Sequence, residues 1–292
     1  MQNREKMMLY KQRDFGDQIS ATFEFIKLNI KRITMNYLVF SLPLVIIGSV
    51  LYAGGYTDLI QNVQAGQVYT PMSVFSGQII IGGLLLFVAS LFFIMSNYAM
   101  MKLYHEVEDP NEINVAMVYD VIKSRIGHYI LGGIAVGVIS VLGTLLLVLP
   151  GIYVMVAMMF TFIIIIFEGK NAFGAIDRSF QVQRGFWWGS FGFIIVMAII
   201  ISLISYTIVL PISLIYDFSP LELMSGTVAQ DFEHSASKFL IVTVLSNSLT
   251  YFISSIYVIA IGIRYFTIVE SKEDISLNQE IDSMTSNSNN EA

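Results

Sequence analysis

Leu145-Leu146-Leu147-Val148-Leu149-Pro150-Gly151-Ile152-Tyr153-Val154 (LLLVLPGIYV) lies within a run from Ile126 to Phe167 that contains no Asp, Glu, Lys or Arg. The part from Tyr129 to Phe167 is apolar throughout, and as one helix at 1.5 Å per residue it would be about 58 Å long. A bilayer has a hydrocarbon core of about 30 Å, crossed by roughly 20 apolar residues. Pro150 has no backbone donor and biases Leu149 away from helical dihedrals, and Gly151 tolerates the conformations a reversal needs. The sequence therefore predicts a tight hairpin turn at Pro150 and Gly151, with one membrane span on each side.

Working outward, four more windows free of these charges run from Ile33 to Thr57, Leu59 to Met101, Gly185 to Tyr216 and Phe239 to Ile263. The 292 residues are 55% hydrophobic and 13% charged, far from the quarter charged that soluble domains carry. The chain has no cysteine, which excludes disulfides, thiolate metal sites and Cys nucleophiles. The charged start of the chain lacks a cleavable signal pattern, so the first span is expected to remain as an anchor. Because Thr57 to Gln78 is polar, the expected spans are six: Met35–Tyr56, Gln78–Tyr104, Tyr129–Leu149, Ile152–Phe167, Gly189–Leu210 and Phe239–Ile263.

Six spans divide the 16 Lys and Arg residues unequally, leaving Lys238 alone on one side. By the positive-inside rule both termini are then cytoplasmic. Tyr37, Tyr104, Tyr129, Trp187, Trp188 and Tyr265 are expected as anchors at the inner interface, and Tyr52, Tyr56, Tyr216 and Phe218 at the outer one.

Before each odd-numbered span comes an amphipathic stretch. Phe15, Ile19, Phe23, Ile26, Ile30 and Ile33 recur at helical spacing, as do Val115, Val118, Ile122 and Ile126, and then Phe173, Ile176 and Phe180. Helices of this kind with basic residues off the apolar face lie along a headgroup layer; the alternative is a soluble helix packed under the bundle. Ile19-x-x-Thr22-Phe23 also matches Ile176-x-x-Ser179-Phe180, which suggests a repeated unit of one amphipathic helix and one hairpin. The expected fold is an all-α integral membrane protein: six transmembrane helices as three hairpins, each preceded by a cytoplasmic amphipathic helix. Residues 1–34 form the cytoplasmic N-terminus, 35–266 the membrane domain and 267–292 a disordered cytoplasmic tail.

Thr243, Asn247, Thr250, Ser254 and Tyr257 fall on one face of the sixth span. Polar groups in hydrocarbon must face other helices or water, so this face either packs or lines a hydrated cavity, with Asn97 a further member of the network. Gly133, Gly137, Ser140 and Thr144 offer a small face for packing. No ionisable residue stands at mid-membrane depth, as a coupled pump would need. Glu168, ten residues before Arg178, either forms an interfacial ion pair with it or is solvated. The acidic loop residues Asp217, Glu222, Asp231 and Glu233 read as solvated surface. His105, His128 and His234 are scattered, and neither a P-loop nor a nucleophile-elbow pattern occurs. No catalytic residue, metal site, cofactor or nucleic-acid partner is expected; the partners are the lipid bilayer and other membrane proteins.

Leu149-Pro150-Gly151-Ile152, Glu168, Ala175, Arg178-Ser179 and Gly185-Phe186-Trp187, with Phe15-Gly16-Asp17, Thr22-Phe23 and Asn29, resemble a bacterial group of multi-pass proteins. It includes the membrane domain of glycerophosphoryl diester phosphodiesterases and the UPF0259 inner-membrane proteins. The resemblance implies a cytoplasmic-membrane protein of about six spans without an assigned activity. Too little sequence follows Glu270 for a phosphodiesterase domain, so that activity is not expected. The functional expectation is a scaffold or accessory subunit of a cytoplasmic-membrane complex; the alternative is an uncoupled permease or lipid-handling protein with a polar intramembrane cavity.

Overall fold

The computed structural model describes residues 6–65, 76–146, 148–216, 232–275 and 277, and there is no strand among them. The helices are α1 (Phe15–Asn36), α2 (Leu42–Gln64), α3 (Gly77–Glu106), α4 (Val115–Leu146), α5 (Val148–Ala157), α6 (Thr161–Phe167), α7 (Ala172–Gln183), α8 (Trp187–Ile215), α9 (Phe232–Ile253) and α10 (Ser255–Glu273). Six stretches are long and apolar enough to cross a membrane: Phe15–Asn62, Gly77–Glu106, Val115–Leu145, Val148–Phe167, Trp187–Ile215 and Ala236–Glu273. Each overlaps one expected span. The chain is a multi-pass membrane protein.

The boundaries differ where a local signal was absent. No Gly or Pro stands between Asp17 and Leu42, so α1 does not stop before the first span. A π-helical turn at Tyr37–Ser41 carries it into α2, its wider i to i−5 bonding placed just ahead of Pro43, which cannot donate. The second amphipathic stretch likewise forms the start of α4. Only α7 is a separate helix, and Gly185, at φ +87, supplies the left-handed turn that ends it. The sixth crossing continues as helix to Glu273 with Thr267, Ile268, Val269 and Glu270 buried, so the stretch expected as tail from residue 267 is packed helix there. Most of the remaining tail, the acidic residues Asp217, Glu222 and Asp231, Phe218, and the side chains of Glu233 and His234 lie outside the described residues.

The chain forms two compact units. In the unit of Thr34–Phe93 and Ile199–Ser255, α2 and α3 run antiparallel with their backbones in near contact. A Cβ on Gly82 would lie 2.5 Å from the Tyr52 nitrogen and 2.8 Å from the Gly48 carbonyl oxygen, so only glycine fits this crossing. The Tyr37 hydroxyl donates to the Ser248 carbonyl and Tyr251 to that of Leu86, which ties α9 to this pair.

The other unit holds Met1–Ile33, Ile94–Ala198 and Ile256–Ala292. Here Gly143 faces Gly151, while Gly132 faces Ile165 and Thr161. Antiparallel packing of α4 against α5 and α6 follows, with α4 ending at Leu146 and α5 starting at Val148. This corrects the expected turn at Pro150 and Gly151. Pro150 is the third residue of α5, where helical N–H groups have no intrahelical acceptor and a proline costs no bond. Gly151 serves close approach instead, since a Cβ there would stand 2.8 Å from Thr144 Cα. Of the small face expected on α4, Thr144 packs in this way and Gly133 is buried, whereas Gly137 faces open space.

Two helices bury a face beside their apolar stripe. On α1 the buried residues are Gln18, Ala21, Thr22, Phe25, Asn29, Ile33 and Asn36, while Phe15, Phe23 and Ile30 are exposed. On α7 they are Ala172, Ala175, Ser179, Val182 and Gln183, with Phe173 exposed. Small and hydrogen-bonding residues pack inward where the surrounding solvent is itself apolar. The matched pair Thr22 and Ser179 is fully buried in both helices. Tyr37, Tyr104, Tyr129 and Tyr265, expected at the interface, are also buried, because their rings fill the interior and most of their hydroxyls find acceptors or donors there. Trp188, in contrast, is 78% exposed.

Candidate functional site

The fourth crossing is not one helix. α5 ends at Ala157 and α6 starts at Thr161, and the freed backbone groups between them would be costly in a dry interior. α7 satisfies several of them. Ser179 Oγ donates to the Ala157 carbonyl at 2.7 Å and accepts from the Phe160 amide at 3.2 Å, and Gln183 Nε2 donates to the Val156 carbonyl at 3.1 Å. The buried polar face of α7 is thus a template for the break.

Charged groups fasten the same helix. Arg178 Nε donates to Glu168 Oε1 at 2.9 Å and Oε2 at 3.2 Å, and its Nη2 donates to Glu273. Glu168 Oε1 also accepts from the Tyr265 hydroxyl at 2.8 Å. Burial opposes the charge on Arg178, but its bonds to Glu168 and Glu273 outweigh that and raise its pKa above the ordinary guanidinium value. Nearby, burial first and then the Glu168 and Glu273 charges push the Tyr10 phenol up to about 12. Lys272 Nζ donates to the Gln181 and Arg184 carbonyls at the end of α7, 2.8 Å each. Lys102 Nζ reaches the Ile166 carbonyl at 3.1 Å and Arg125 Nη1 the Gly169 carbonyl at 2.8 Å, which places cations at the negative end of α6. Gly169 has φ +66, so it both caps α6 and leaves space for Arg125.

A second polar feature of this unit is a cavity of about 350 Å³ lined by Gln12, Arg13, Asp14, Phe186, Arg264, Thr267, Ile268 and Ser271. Arg264 is 7% exposed. Its Nε donates to Ser190 Oγ and its Nη1 to Gln18 Oε1, both at 3.2 Å. Among the described residues no carboxylate pairs with it and Nη2 donates to none. Gly189 makes room for it, since a Cβ there would lie 2.8 Å from Nη2.

The residues singled out in the sequence are distributed differently from one shared network. Glu168 and Arg178 come together in the cluster above, with Tyr265 and Glu273 as members that sequence spacing could not reveal. Asn97, buried, and Tyr257, half-buried, belong to the same unit as this cluster. Thr243, Asn247, Thr250 and Ser254 belong to the other unit. There Asn247 Nδ2 donates to Ser49 Oγ at 3.0 Å, Ser254 Oγ returns to the Thr250 carbonyl at 2.8 Å, and the Thr250 side chain is exposed. Of these four, Asn247 thus bonds across to α2, Ser254 bonds within its own chain segment and Thr250 stays exposed. Among the described residues, no three His, Asp or Glu side chains gather as metal ligands.

Residues 111–267 match the model of a family described as a domain of unknown function, DUF7847. No curated protein and no solved structure matches the chain. The matched segment contains the break in the fourth crossing, α7 and the Glu168–Arg178 pair. Within it Ala175, Arg178, Ser179 and Gly185 serve packing, ion pairing, backbone repair and a turn, in that order.

Proposed function

For a chain that belongs to the DUF7847 family of unknown function, we propose a non-enzymatic role read from its own residues: a scaffold or accessory subunit of a bacterial cytoplasmic-membrane complex. In this reading the three hairpins insert with both termini in the cytoplasm, as the distribution of Lys and Arg supports. The likeness to the phosphodiesterase membrane domain and the UPF0259 proteins belongs to the same proposal. One observation carries the choice of scaffold over permease. The polar side chains that a solute path through the sixth crossing needs are committed to packing or turned outward: Asn247 to Ser49, Ser254 to its own helix, Thr250 to the surface. Meanwhile the exposed aromatic and aliphatic faces of α1 and α7 offer surface for lipid or for a second membrane protein.

Osmotic swelling of proteoliposomes in glycerol and erythritol tests this directly. A scaffold gives the same slow swelling as empty liposomes, and Asn247→Leu leaves it unchanged. Fast swelling that Asn247→Leu abolishes at equal protein incorporation supports the permease and overturns the scaffold. The positive arm is native electrophoresis after gentle solubilisation, in which the chain migrates in a complex with a second membrane polypeptide at fixed stoichiometry.

A further inference from the structure

The Arg264 cavity plays no part in the latch around α7, yet its wall includes a buried guanidinium that no carboxylate among the described residues pairs with. A guanidinium withdrawn from water is stable when paired with an anion or hydrogen-bonded on all sides. Arg264, 7% exposed, holds two neutral partners and keeps Nη2 without an acceptor among the described residues. Arg264 forms part of the wall of the cavity. Arg13 forms part of its wall, held in place by donating to the Met8, Leu9 and Lys11 carbonyls. Lys272 Nζ stands 5.4 Å from the centre of the Phe186 ring, another wall residue. One carboxylate also borders the space: Asp14, whose Oδ1 accepts the Asp17 amide at 2.8 Å and is thereby engaged at the start of α1. Gln12 and Ser271 add neutral polar groups, while Phe186 and Ile268 give an apolar side.

We propose that this cavity is a binding site for a phosphate group, carried by a phospholipid headgroup or free in solution, with Arg264 as its deep ligand and Arg13 at its rim. Guanidinium groups present paired donors that match phosphate oxygens. The position favours a headgroup: Phe186 directly precedes Trp187 and the exposed Trp188, residue types that settle at the membrane–water boundary. The volume is that of a small-ligand pocket and accommodates a phosphate with a short polar substituent.

The test uses purified full-length chain in a zwitterionic detergent, titrated separately with short-chain phosphatidylglycerol, short-chain phosphatidylcholine and inorganic phosphate, and read by thermal shift and native mass spectrometry. The site predicts saturable binding of phosphatidylglycerol that is weakened about ten- to hundredfold by Arg264→Gln. Gly189→Ala, which leaves every charge in place and displaces Nη2, is predicted to weaken it as well. Lys123→Gln, an exposed basic residue elsewhere in this unit, leaves it unchanged. Competition by inorganic phosphate at comparable concentration identifies a phosphate-only site; binding that requires the acyl chains identifies a lipid headgroup. Should Arg264→Gln fail to fold, Gly189→Ala and Arg13→Gln against Lys123→Gln decide the matter. Equal affinity across all folded variants, or no saturable binding of either phosphate source, overturns the proposal.

Discussion

Replacing Ser179 with Ala removes one hydroxyl from a fully buried position and leaves two backbone groups of the fourth crossing without their partner. The Ala157 carbonyl loses a 2.7 Å bond and the Phe160 amide a longer one of 3.2 Å. An unsatisfied buried group costs about 1–3 kcal/mol, and the weaker of these two bonds belongs at the low end. The sum is about 2–4 kcal/mol, since alanine otherwise fills nearly the same volume. For a chain of this size that corresponds to a fall in Tm of about 5–12 °C. Fluorescence-detected size-exclusion after heating measures it in detergent on a fluorescent-protein fusion. Ser124→Ala is the matched control, because Ser124 is exposed and bonds within its own helix turn. A Ser179→Ala transition within about 1 °C of that control would refute the idea that α7 repairs the break.

The cluster beside it makes a related prediction: Glu168→Gln leaves Arg178 with Glu273 alone and weakens the tie to Tyr265, lowering stability by about 2–3 kcal/mol, read by the same assay. Hydrogen exchange in the 172–183 amides should accelerate in that variant while α2 amides keep their protection; uniform acceleration would argue against a local latch. Gly151→Ala forces a methyl against the Thr144 backbone at 2.8 Å and is expected to cost about 1–3 kcal/mol, whereas Gly137→Ala, in open space, is neutral or mildly stabilising. Equal behaviour of the two glycine variants would contradict the packing of α4 on α5.

Six crossings were legible because span hydrophobicity is a local property of composition, and no tertiary contact is needed to read it. Which face of a helix turns inward was not. The stripe Phe15, Ile19, Phe23, Ile26, Ile30 and Ile33 was expected against a headgroup layer or under the bundle, yet periodicity alone cannot say where the neighbouring face goes. In the structure that face, Gln18, Thr22 and Asn29, is buried, since polar groups surrounded by apolar solvent gain most from internal partners. Nor was the burial of Tyr37, Tyr104, Tyr129 and Tyr265 legible: an amphipathic ring suits an interface, but it suits a hydrogen-bonded interior equally well. Pro150 and Gly151 were assigned to the turn by residue type, whereas they lie inside α5 and meet the separate demands of a helix start and a close approach. The break at Met158–Phe160 left no mark in the sequence, because its compensation comes from Ser179 and Gln183, about 20 residues away. The burial of Arg264 was hidden for a similar reason: it depends on Gln18, Gly189 and Ser190, which no local pattern connects to it.

A chain threaded six times through a bilayer with its basic segments on one side has loops of fixed sidedness, and the absence of cysteine permits a clean measurement of them. Single cysteines placed at Met8, Asn111, Asn171 and Ser271, and separately at Ala65 and Tyr216, are exposed to a membrane-impermeant maleimide in intact cells and after permeabilisation. The account predicts that the first four react only after permeabilisation and the last two already in intact cells. A division of the first four between the two outcomes would contradict it.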